Sequence, residues 1–442
     1  MSRFRLSRRH LLGGAAATAA TLAGVPAALA QLRVDITRGN VQPMPIAVSP
    51  LAGDSPADVQ RGLQIAEVVQ NDLDGSGLFK TIDRQAYIQS PNEMRTIPRF
   101  ADWRQINAQA LVTGTVQGTG GTMGVEFRLW DVFAGTQLRG LRYEAPDAGW
   151  RRVAHKIADV VYERLTGEAG YFDTRIAYVG ETGPLTRRVK RVIVMDQDGA
   201  NSRFLTDGSQ LVLTPRIAPD GRRVAYMTYH NGPPRVVVKD IDGGPEGVLG
   251  DFPGMTFAPR FSPDGQTLLL TLAQGGVSNI YAWDVGSRRS TKLTDSNAID
   301  TSPSFSPKGD QIVFNSDRGG TPQLYVMPRG GAGAKRISFG DGRYGSPAWS
   351  PRGDLIAFTK IKGGLFHIGI MKPDGSDERL ITQSYMDQSP SWAPNGRVIL
   401  FERDDPRSDR ARLLTIDISG YNQREIATPT DASDPDWSPL IP

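Results

Sequence analysis

The chain is 442 residues long, with 49 Gly, 31 Pro and no Cys, so disulfides, thiolate metal centres and a cysteine nucleophile are excluded. The formal charge of +4 is carried entirely by Arg3, Arg5, Arg8 and Arg9. Beyond residue 30 the chain holds 47 basic and 47 acidic side chains, a balance that gives no electrostatic case for nucleic acid or an anionic membrane.

Residues 1–30 read as a cleavable export signal. A basic start is followed by the apolar stretch 11–25 and by Ala28-Leu29-Ala30, an A-x-A site that places cleavage between Ala30 and Gln31. Ser7-Arg8-Arg9-His10-Leu11-Leu12 also fits a twin-arginine leader, so both export routes stay open. No later stretch reaches the ~18 apolar residues that a membrane span needs.

An α+β domain is expected over residues 31–168. Leu32-Arg33-Val34-Asp35-Ile36 alternates apolar and polar and can pair as a strand; residues 44–51 read as a second. Asp54 or Ser55 can cap a helix that has Pro56 in its first turn. Its apolar face is Val59, Leu63, Ile65, Ala66 and Val69. Residues 110–116, 124–133 and 137–143 follow as antiparallel strands, with Gly120-Gly121 and Ala134-Gly135 at the turns. A last helix begins near Asp147, carries Trp150, Val153, Ala154, Ile157, Val160, Val161 and Leu165 at 3–4 spacing, and stops at Gly167. His155 reads as a surface or boundary residue of that helix, and Trp103 and Trp130 as packing.

Residues 171–442 are a repeat array. The phrase Pro-x-[Phe/Trp]-[Ser/Ala]-Pro-x-Gly returns with its first proline at Pro259, Pro303, Pro347 and Pro390, and in looser form at Pro215, where Ile217 replaces the aromatic, and at Pro435. The intervals are 44, 44, 44, 43 and 45 residues, a period typical of propeller blades. The second proline presets φ at turn position i+1, and Gly takes i+3. Each phrase leads into an apolar strand such as Ile312-Val313-Phe314, then a third strand, a turn such as Asp374-Gly375, and a short fourth strand. Five units are complete. The stretch from Arg175 to Thr206 lacks its first strand, and Asp434-Pro435-Asp436-Trp437-Ser438-Pro439 is a first strand without a blade. The fragments complete one another: a six-bladed β-propeller closed by its C-terminus, leaving no free edge at the junction.

Catalytic signatures are missing. The sequence has no Gly-x-Ser-x-Gly elbow, His-Glu-x-x-His, P-loop or dinucleotide fingerprint. Past the leader only His155, His230 and His367 remain, too far apart in sequence to suggest a metal site. Asp196-Gln197-Asp198-Gly199 and Asp374-Gly375-Ser376-Asp377 have the flavour of calcium loops but coincide with blade hairpin turns. A non-enzymatic binding scaffold without cofactor is expected. The alternative is an exported propeller enzyme, or a sugar- or peptide-binding module, using the central channel.

The repeats, most clearly Phe261-Ser262-Pro263-Asp264-Gly265, resemble those of TolB-type propellers. The whole layout, with Pro45-Ile46-Ala47-Val48 after the leader and the terminal Asp-Trp-Ser-Pro, is similar to the TolB family of the Tol-Pal envelope system. That resemblance implies a periplasmic protein, peripheral at the outer membrane, that supports outer-membrane integrity and envelope constriction at division. It implies two partners: the Pal lipoprotein at the propeller and the C-terminal domain of TolA at the new N-terminus. The residues ahead of each repeat's first proline start the innermost strands and so ring one channel mouth. They are Met255, Thr256, Asp300, Thr301, Ser302, Arg343, Tyr344, Asp387, Gln388, Asp431 and Ser433, the expected Pal site. Gln31, Leu32, Arg33, Val34, Asp35 and Ile36 are the expected TolA segment, able to add as a strand to a partner's sheet.

Overall fold

The computed structural model describes residues 32–36, 42–229, 232–250, 252–406 and 410–442. The leader and the cleavage site at Ala30 and Gln31 lie outside the described residues. Among those described, no helix is long and apolar enough to cross a membrane.

The N-terminal domain is a mixed sheet. Strands β1 (Met44–Val48), β2 (Ala52–Gly53), β3 (Phe79–Thr81), β4 (Ala110–Thr119), β5 (Thr122–Asp131) and β6 (Thr136–Pro146) pair in the order β3-β1-β4-β5-β6, with β2 beside β4. β1 runs parallel to β3 and β4, and β4, β5 and β6 form an antiparallel meander.

Helix α1 (Pro56–Gly75) starts as its sequence demands. Ser55 accepts the Asp58 N–H while the Asp58 carboxylate accepts the Ser55 N–H, and Pro56 takes the first position. Its buried face is Gly62, Ile65, Ala66, Val68, Val69, Asp72 and Leu73. Val59, expected inside, is exposed. Gly62 is required where α1 crosses the chain, because a Cβ there would sit 2.1 Å from the Leu51 carbonyl oxygen. Helix α3 (Trp150–Thr166) ends on Gly167 at φ 81°, the left-handed stop. A short helix, α2 (Phe100–Gln105), had no signal in the periodicity. With the strand ends it encloses Trp103 and Trp130, both buried.

The segment 33–36 does not form a strand. Val34 is buried and its N–H donates to the Leu165 carbonyl at 2.8 Å, so the segment lies along the end of α3. A helix terminus offers unpaired carbonyls but no sheet edge, which is why alternation alone did not produce a ladder here.

Six four-stranded sheets follow. The first blade is assembled from both ends of the array. The C-terminal strand Asp431–Trp437 pairs with β7 (Arg175–Thr182), which pairs with β8 (Val189–Asp196) and then β9 (Arg203–Phe204). Trp437 is buried, donates its indole N–H to Thr174 Oγ1 at 2.8 Å and packs edge-on to Tyr171. The chain is therefore an α+β domain followed by a closed six-bladed propeller.

Candidate functional site

The innermost strand of every blade carries the same distortion. Thr214, Ala258, Ser302, Ser346, Ser389 and Asp434, each preceding the repeat proline, have φ between 47° and 56°. Each marks a register shift, so two residues of the first strand oppose one of the second. The opposed residues are Tyr226, Leu270, Phe314, Phe358, Phe401 and Tyr178, all fully buried between blades. A left-handed residue before proline costs energy. Here it is repeated six times around the channel and held by a large side chain packed behind it.

Position relative to that bulge sorts the residues expected at the mouth. Three residues before the proline, the side chain always points into the blade. Thr256, Asp300, Tyr344 and Asp387 are all buried, so the expectation that they face a partner is corrected. Thr256 Oγ1 accepts the Val236 N–H at 3.0 Å. Asp300 accepts from Arg318 and Ser296, and Asp387 is held bidentately by Arg403 at 2.6 and 2.7 Å. The Tyr344 hydroxyl lies between Glu378 and Lys360. Thr301, Ser302 and Gln388 are half-buried in the channel wall, while Ser433 is buried and donates to Glu181.

The rim proper is one residue further back. Met255 and Arg343 are exposed there, and Asp431, half-buried, pairs with Arg188 at 2.7 Å. The same position in neighbouring blades holds Leu211 and Ile299. Leu211, Met255 and Ile299 are 41, 45 and 47% exposed, an apolar arc across three adjacent blades. Tyr229, whose N–H binds the Leu211 carbonyl, and Tyr385 stand exposed at the same end. Counting four residues back from each repeat proline would have found Leu211 and Ile299 in the sequence.

Below the rim the channel is crossed by polar bonds. Asp436 accepts from the Ile217 N–H at 2.8 Å, from Ser391 at 3.1 Å and from Arg260 at 3.2 Å, joining four blades. Glu402 is buried, accepting from the Gln388 amide and the Asp434 N–H. Burial, then the nearby Asp434 carboxylate, pushes its pKa up to about 8.

The opposite end of the ring meets the N-terminal domain. Asn395 and Arg352, in turns between first and second strands, reach Ala169 and Glu168. Asn422, in a turn between third and fourth strands, reaches Gly75, and Arg424 just beyond it donates to the Asp74 carbonyl. These turns lie at the far end from the six strand starts, so the apolar rim is on the face away from that domain. His155 is here too. It is 2% exposed rather than on the surface, with Nδ1 2.7 Å from Asp72 Oδ2. Helical periodicity placed it at the surface or boundary; here it is packed against Asp72 of α1.

Of the N-terminal segment, Gln31 is outside the described residues and Leu32 is half-buried. Arg33 and Asp35 are exposed on either side of buried Val34, and Ile36 is half-buried.

Two family models match this layout: the TolB amino-terminal domain over residues 32–138 and the TolB beta propeller domain over residues 162–441. The Tol-Pal system protein TolB of Paramagnetospirillum magneticum is 61% identical over 427 residues, covering 95% of this chain and 96% of that protein. This chain belongs to the TolB family. Its counterpart from Pelagibacter ubique is 59% identical, covering 94% of this chain and 96% of the relative. The crystal structure of TolB from Acinetobacter baumannii superposes with a TM-score of 0.80 at 27% identity, covering 92% of this chain and all of that one. A TolB-family chain is a non-enzymatic component of the Tol-Pal system, which agrees with the missing catalytic signatures.

Proposed function

We propose that this TolB-family chain is a periplasmic scaffold, exported by its leader 1–30, with an α+β domain over 31–168 and a propeller over 171–442. It binds the Pal lipoprotein at the channel mouth, and so sits peripherally at the outer membrane. It binds the C-terminal domain of TolA through residues 31–36. Together these contacts support outer-membrane integrity and envelope constriction at division.

The observation that carries the reading is the arc of Leu211, Met255 and Ile299 on the face turned away from the N-terminal domain. Exposed apolar residues framed by polar ones mark protein contacts. The half-buried Thr301, Ser302 and Gln388 just inside add hydrogen-bonding groups. The pre-proline bulges hold this surface rigid, which lowers the entropic cost of binding.

Titration calorimetry with purified Pal tests it. Met255→Glu and Ile299→Glu each weaken binding at least tenfold, about 1.4 kcal/mol, as expected for central apolar anchors. Unchanged affinity in both variants, with intact melting, places Pal elsewhere.

A further inference from the structure

One edge of the N-terminal sheet is long and open. β6 is its last strand, 11 residues in length, and among the described residues it pairs with β5 alone. The strand at the opposite edge, β3, has 3 residues. The Asp147 N–H donates to the Gly121 carbonyl at 3.1 Å, which continues the β5–β6 pairing one step past Pro146. Bonded and non-bonded positions alternate along an antiparallel pair. Tyr143 and Ala145 therefore bond inward to β5, as Asp147 does, while Gly140, Arg142 and Glu144 turn their N–H and C=O outward. Pro146 belongs to the outward set and has no N–H to leave open.

The side chains of β6 alternate too. Tyr143 is half-buried and stacks on Phe127 with ring centres 6.2 Å apart. Arg142 and Glu144 lie on the other face, their side chains 61 and 77% exposed, with a loose 3.6 Å contact between them. These charges are self-complementary in one register. When a second copy is turned about a two-fold axis through Tyr143, Arg142 lies opposite Glu144 of the second copy, and Glu144 opposite its Arg142. Just past the strand, Asp147 falls opposite Arg139. The backbones of Arg142 and Glu144 then exchange both hydrogen bonds across the axis, and the Gly140 N–H meets the Pro146 carbonyl. The neighbouring registers that keep the same faces are rejected. An axis through Arg142 sets that arginine against its own copy, and an axis through Glu144 sets two carboxylates together. Like charges directly opposite one another destabilise a strand pair.

We propose that β6 is a self-association edge, through which two copies of this chain pair antiparallel over residues 140–146 and join their N-terminal sheets into one. A free edge accepts another strand unless its side chains forbid it. Here the charges forbid the wrong registers and favour one. A contact of a single strand is small, so the dimer is weak and forms only as concentration rises. The channel mouth and residues 31–36 lie outside the paired stretch, so the dimer does not depend on the partner sites proposed above.

Sedimentation equilibrium of the untagged mature chain over rising concentration tests this. A reversible monomer–dimer equilibrium is expected. Glu144→Arg and Arg142→Glu each bring like charges together twice across the axis, and each should weaken dimerisation roughly tenfold. Glu144 faces Gly124 on β5, so Glu144→Arg should keep the parental melting temperature. Mixed in equal amounts, the two variants should pair with one another, because every arginine then meets a glutamate. Amide exchange at Arg142 and Glu144 should slow with concentration, and exchange in β3 should not. A wild-type chain that stays monomeric at every concentration overturns the proposal and leaves Arg142 and Glu144 as charges that only blunt the edge. A dimer retained by both variants, or a mixture that fails to associate, also overturns it, because the copies then meet elsewhere, as at the apolar rim.

Discussion

Glu402 shows how one buried carboxyl sets the pH response of the channel. Its pKa is raised from 4.5 to about 8, by burial first and Asp434 second. The folded state therefore holds a proton that the unfolded chain releases above pH 4.5. Its contribution is full below that value and is lost as pH rises toward 8. Glu402→Gln, a neutral isostere, should flatten the decline in denaturant stability between pH 5 and 8. A wild-type profile that does not fall across that window contradicts the assignment. Asp387 makes the complementary case. Its carboxylate is fully buried against Arg403, so Asp387→Ala should cost about 3–5 kcal/mol by stranding that guanidinium. Any loss of Pal capture in this variant should follow its loss of fold, whereas Met255→Glu should bind poorly with an unchanged melting temperature.

At the scale of elements, the C-terminal strand Asp431–Trp437 carries the most structure per residue. It is the innermost strand of the first blade, and through Asp436 it also ties the second, third and sixth blades across the channel. Truncation after Ser433 removes the buried Trp437, worth roughly 3–5 kcal/mol by itself, from a fold whose stability is typically ~5–15 kcal/mol. The truncated chain should aggregate or be degraded; a soluble product with the parental melting temperature would refute ring closure. Helix α1 depends on a gap. Gly62→Ala drives a methyl to 2.1 Å from the Leu51 carbonyl oxygen, so α1 must shift off the sheet. The expected loss is about 1–3 kcal/mol, measurable by urea unfolding.

For the whole molecule, the proposed division of labour puts Pal at one end of the channel and TolA at the N-terminal segment. A mature form starting at Val41 should keep Pal binding and lose TolA binding. Its stability should fall modestly, because Val34 is buried against the end of α3 and burying a valine contributes about 1.5–3 kcal/mol. The alternation of Leu32, Val34 and Ile36 by itself left two uses open, a strand of its own domain or one added to a partner's sheet. If the shortened form binds TolA as well as the full mature chain, recognition by this segment is wrong.

The period of 44 residues, the Pro-x-aromatic phrase and the two mismatched fragments at the ends of the array determined the six blades and their closure. They are local patterns: turn chemistry, alternation and a missing strand are written along the chain. The capping box at Ser55 and the Gly167 stop were legible for the same reason. The direction of each side chain near the mouth was not. A bulge before every repeat proline shifts the register, and one residue of shift turns Asp387 inward and leaves Met255 on the rim. The environment of His155 was illegible too, since Asp72 is 83 positions away and Asp198 lies in the other domain. Burial at a seam depends on which elements the tertiary fold brings together, and no spacing within a single segment encodes that.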